Sequence, residues 1–108
     1  MARRERHYVA CDCMVGHLAY EPATDTRVYL EHLENPRRPE FEKICRFGSK
    51  NGWVVRDTVN NVICCQSYST IVAMKVGDEV VDFGRWSNST TRHQSCFSDW
   101  CREHPDAE

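Results

Sequence analysis

No stretch of this 108-residue chain approaches the roughly 18 consecutive apolar residues that a bilayer-spanning helix needs. The first twenty residues, MARRERHYVACDCMVGHLAY, begin with charge but lack an unbroken apolar segment, because Asp12 interrupts it. No secretory signal is read there. An excess of positive charge is missing as well: 14 Lys and Arg stand against 16 Asp and Glu, a net charge of -2. That argues against the broad basic footprint by which proteins hold nucleic-acid phosphates. The arginine-rich run at residues 3–6 is local and reads as a solvated leader. Also absent are a glycine-rich phosphate loop, an H-E-x-x-H pair, a nucleophile elbow, internal repeats and low-complexity tracts. The expectation is a cytoplasmic, non-enzymatic protein with no membrane partner and no cofactor.

Cysteine is abundant, with seven residues, and the odd number does not suit a secreted disulfide framework. Reduced thiols acting as small buried hydrophobes are expected instead. The length and a hydrophobic content of 41% fit one domain over residues 1–108 with its own core. Residues 1–6 would form a leader and residues 105–108 a tail.

The residue pattern predicts strands at residues 7–15 and 27–33, and a short helix at residues 40–47, started by Pro39 with Phe41, Ile44 and Cys45 on one face. The second half carries stronger signals. Two β-branched runs flank Asn60-Asn61, which suits a type I′ hairpin, and two more flank Gly77-Asp78. Residues 67–70 bend the chain between the hairpins, giving a meander of about four strands. From residue 90 the period changes. His93, Cys96, Phe97, Trp100, Cys101 and His104 share one helical face, with Ser89 or Thr90 as N-cap and Pro105 as terminator. The predicted class is α+β: an antiparallel meander packed against one C-terminal amphipathic helix, with a second short helix.

Three chemistries compete with plain packing. A zinc site could pair Cys101 with His104, or His93 with Cys96, each three residues apart on the helix, and add Cys11 and Cys13. The C-x-C spacing is poor, and adjacent Cys64 and Cys65 point to opposite faces of a strand, so metal stays the alternative. A Cys–His nucleophile has its parts but no motif. Arg85, Trp86, Arg92 and His93 interleave cations and rings, as single-strand binders do, yet the net charge disfavours nucleic acid.

Residues 67–97, SYSTIVAMKVGDEVVDFGRWSNSTTRHQSCF, resemble a small bacteriophage and mobile-element domain of unknown function. That domain has an S-Y-x-T-x-V-A stretch, a variable hairpin, and a W-S-x-T-T-x-R-H-x-x-x-F stretch. The matching residues are Ser67, Tyr68, Thr70, Val72 and Ala73, then Trp86, Ser87, Thr90, Thr91, His93 and Phe97; here Arg92 follows Thr91 directly. The resemblance implies phage or mobile-element origin and supplies no catalytic residues. Physically the shared residues read as scaffold: threonine caps, Tyr68 and Trp86 bracketing the hairpin, Phe97 anchoring the helix, and His93 hydrogen-bonded back to Ser67 or Thr70. The expected function is binding, and inhibiting, a host protein such as a defence-system CRISPR nuclease. Arg85, Trp86, Arg92, Asp78, Glu79 and Asp82 are the candidate contact residues. A zinc-stabilised nucleic-acid accessory protein is the alternative.

Overall fold

A computed structural model describes residues 20–47, 51–84 and 87–105. The elements run α1 (Arg27–Glu31), β1 (Phe41–Arg46), β2 (Gly52–Asp57), β3 (Val62–Ser67), β4 (Thr70–Val76), β5 (Glu79–Asp82) and α2 (Asn88–Glu103). The strands form one antiparallel sheet in the order β1-β2-β3-β4-β5, each paired with its sequence neighbour. This is the predicted α+β meander with a C-terminal helix, widened by one strand. The strand expected at residues 7–15 lies outside the described residues.

Both faces of the sheet are covered, which explains why the central strands are apolar with little alternation. On one face α2 lays Cys96, Phe97, Trp100 and Cys101 over Cys45, Val54, Cys65 and Val72. On the other, Tyr29 of α1 joins Trp53, Val55, Cys64, Ile71, Met74 and Phe83. Cys64 and Cys65 thus belong to different cores, as their adjacency in a strand requires. All five described cysteines are free thiols and buried.

Two local expectations are overturned. Residues 27–33 are not a strand: Arg27–Glu31 is a single helical turn and a half. Its buried Tyr29 donates a 2.6 Å hydrogen bond to Asp57 at the end of β2, and that long-range contact overrides the β-forming content of the segment. Residues 41–46 are a strand, not a helix. The pairing of β1 with β2 slips between Lys43 and Cys45, and the bulge turns Ile44 and Cys45 toward the same core. A bulged strand thereby imitates the i, i+3, i+4 spacing of a helix. A second short helix is present, but at Arg27–Glu31 and not at residues 40–47.

The hairpins come out where the turn residues placed them, with different detail. The β2–β3 loop has four residues, 58–61, and of the asparagine pair only Asn61 has positive φ, at 59°. Asp57 organises it, its carboxylate accepting from the Val59 and Asn60 amides and from the Asn60 side chain. The β4–β5 loop has two residues, with Gly77 at φ 60° in the first position, where a II′ turn takes glycine. The α2 N-cap is Ser87, whose Oγ accepts from the Thr90 amide, and not Ser89 or Thr90.

Candidate functional site

The β3–β4 hairpin is also a two-residue turn, closed by the Ser67–Thr70 pair. Its first turn residue is Tyr68, at φ 55°. The next hairpin uses glycine at the equivalent position with nearly the same φ. A tyrosine there carries a steric penalty of order 1 kcal/mol, and the residue is 52% exposed, so burial does little to offset it.

The turn holds this conformation because it is tied down from every side. The Tyr68 amide donates to Asn51 O at 2.8 Å, and Ser69 O accepts from the Thr24 and Asp25 amides. Gln66, fully buried on the α1 face, donates from Nε2 to the carbonyls of Tyr68 and Glu21, each at 2.8 Å, while its Oε1 accepts from the Tyr20 hydroxyl. Every hydrogen-bonding atom of the Gln66 side-chain amide is engaged, the condition under which a buried amide stabilises one geometry.

On the α2 face, Ser67 Oγ lies 2.7 Å from His93 Nδ1 and 2.9 Å from Thr90 Oγ1. Thr90 Oγ1 in turn lies 3.3 Å from Ser87 Oγ. One orientation gives each hydroxyl a single donation: Ser87 to Thr90, Thr90 to Ser67, Ser67 to His93. With that orientation Nδ1 accepts and the ring proton sits on Nε2. The His93 ring reaches the sheet only because Gly52 has no side chain; a Cβ there would lie 2.7 Å from Cγ and 2.8 Å from Cδ2. The expected bond from His93 to a strand end is thus present, to Ser67.

A serine hydrogen-bonded to a histidine invites a catalytic reading. Burial opposes it: Ser67 is 2% and His93 3% exposed, and the hydroxyl also serves Thr90. The geometry supports a bond that fastens α2 to the end of β3.

What opens to solvent beside this network is a shallow notch of about 250 Å³ lined by Asn51, Tyr68, Ser89, Arg92 and His93. Of the sequence-derived contact residues, Arg92 lies here. Arg85 and Trp86 lie outside the described residues. Asp78 and Glu79 are elsewhere, at the tip of the β4–β5 hairpin, lining a groove of about 610 Å³ with Lys75, Val80, Ser98, Cys101, Arg102 and Pro105. Asp82 ends β5, where partial burial raises its carboxyl above the usual range. Of the described residues in this set, Arg92 therefore lies on a different surface from Asp78 and Glu79. Tyr68 was absent from that set, because SYST reads as an ordinary bend. The signal was the missing glycine or asparagine in a tight hairpin.

The metal alternative gains nothing from the described part of the chain. Cys101 faces the core, where burial pushes its thiol up to about 12. His104 stacks on Trp100 with ring centroids 4.3 Å apart, and its Nδ1 lies 2.9 Å from Trp100 O. Among the described residues no group of three His, Cys, Asp or Glu side chains could hold an ion. Cys11 and Cys13 fall outside them. Among the described residues no helix is long and apolar enough to cross a membrane.

Comparison with known proteins finds no match among curated proteins or solved structures. A family match does appear, over residues 43–105, from within β1 to just past the end of α2, including the Ser67–Thr90–His93 network and the turn that carries Tyr68. It spans more than half of the chain, which therefore belongs to DUF8033, a family of unknown function.

Proposed function

We propose that this protein is a non-enzymatic binding module that engages a partner protein through the β3–β4 turn and the first turns of α2. One observation carries the reading: Tyr68 is displayed, half exposed, in a backbone conformation that the adjacent hairpin reserves for glycine. Buried polar groups on both faces of the sheet hold it there. Rigid, exposed aromatic side chains are the usual anchors of protein interfaces, since they contribute large contact area at little entropic cost. Strain kept at an exposed residue points to function rather than packing. The resemblance of residues 67–97 to a phage and mobile-element domain supplies the context: a cytoplasmic protein of such an element that binds and inhibits a host protein, a defence nuclease being one concrete target.

Affinity capture from host lysate tests this. The intact protein should retain a defined partner, Tyr68→Ala should lose it while melting like the parent, and Glu79→Gln, at the far hairpin, should keep it. Undiminished capture by Tyr68→Ala would overturn the proposal.

A further inference from the structure

The notch beside Tyr68 has a size and a charge. At about 250 Å³ it falls below the 300–1,000 Å³ usual for small-molecule sites. It is large enough for one side chain. Among the described residues its lining carries the Arg92 guanidinium, beside the polar groups of Asn51 and Ser89 and the Tyr68 ring. Among the described residues no carboxylate lines it. Arg92 is exposed on the first turns of α2, and among the described residues no salt bridge occupies it. By contrast Arg27 pairs with Glu31, and Arg102 with Asp99.

We infer that this notch receives a single carboxylate side chain from the partner protein, paired with Arg92 and packed along the face of Tyr68. The inference rests on the binding reading above and specifies its chemistry. A guanidinium matches a carboxylate through two parallel N–H donors, and the ring beside it shields the pair from water. Nucleic acid fits less well. A polyanion is held by several phosphate contacts, whereas the described residues of this notch offer one arginine, on a chain of net charge -2.

The test is an NMR titration of the 15N-labelled full chain with three probes: an eight-residue peptide alternating Glu and Ala, its Gln–Ala counterpart, and an eight-nucleotide oligothymidylate. The Glu peptide should move the Tyr68, Ser89 and Arg92 amide resonances and bind roughly tenfold more tightly than the Gln peptide. Arg92→Gln should abolish that difference, and Arg92→Lys should retain only part of it. Equal binding of the two peptides, preference for the oligonucleotide, or no shift at tens of millimolar peptide would each overturn the inference. If partner capture still depends on Tyr68 in those cases, the carboxylate assignment alone fails. If capture is indifferent to Tyr68, the binding surface itself is wrong.

Discussion

Ser67 Oγ lies 2.7 Å from His93 Nδ1, joining the end of β3 to the second turn of α2 across 26 residues of sequence. The bond is buried, next to the turn that presents Tyr68. Ser67→Ala would take one hydrogen bond from His93 Nδ1 and one from the Thr90 hydroxyl. A buried polar group without a partner costs about 1–3 kcal/mol, so the urea midpoint should fall by a corresponding amount. An unchanged midpoint would mean that water readily replaces the serine and that the network is not a fastening.

Gly52 provides the second check on the same contact. Its φ is not in the left-handed region, so only space forbids a side chain. Gly52→Ala places a methyl within 2.8 Å of the His93 ring, and overpacking of this kind costs about 1–3 kcal/mol. Combined with His93→Ala, which removes the ring, the Gly52 change should cost far less than it does alone. Additive costs in the double-mutant cycle would show that the two residues do not meet.

Asp82 gives a pH dependence of definite sign. Partial burial raises its carboxyl in the folded protein above the unfolded value of 3.8. The folded state then binds more protons than the unfolded state between those two values, so this group's contribution falls as pH rises through that window. Asp82→Asn removes the penalty. The variant's gain in melting temperature should be larger at pH 7 than at pH 3. A gain independent of pH would contradict the desolvation of this carboxyl.

The five described cysteines should resist alkylation while the protein is folded. The thiolate is the reactive form, and burial pushes Cys45 up to about 11 and Cys101 up to about 12, with Cys64 and Cys65 raised as well. Mass spectrometry after N-ethylmaleimide treatment at pH 7.5 should find these five modified only in denaturant. A chelator should leave the melting temperature unchanged. Native-state labelling of Cys101, or melting induced by chelator, would revive a zinc site built with Cys11 and Cys13.

The sequence was most legible where local pattern and tertiary role agree. The α2 stripe of His93, Cys96, Phe97, Trp100 and Cys101 is buried as its spacing predicts, and Gly77-Asp78 turns a hairpin. It misled where a distant partner decides the outcome. Tyr29 forms a helix because its hydroxyl meets Asp57 28 residues away, and the bulge at Ile44 gives a strand the spacing of a helix. The candidate site was legible only in part. His93 to Ser67 could be expected from the motif. Tyr68 could not be told from an ordinary bend until the β3–β4 register showed it in a glycine position. Among the candidate contact residues, Asp78 and Glu79 line a different groove from the notch that holds Arg92, a separation that sequence order alone does not reveal.

The central claim is that Tyr68 is kept for what it contacts outside the fold, and Tyr68→Gly tests it most directly through its melting temperature, measured beside partner capture. Glycine relieves the left-handed strain, worth of order 1 kcal/mol, and adds about 0.5–1 kcal/mol of unfolded-state entropy, so the two nearly cancel. The account predicts a variant that melts within a few degrees of the parent or above it, and that no longer captures the partner. A fall of more than about 4 °C, the shift that 1 kcal/mol produces in a domain this size, with capture intact, would show that the ring serves the fold and contradict the account.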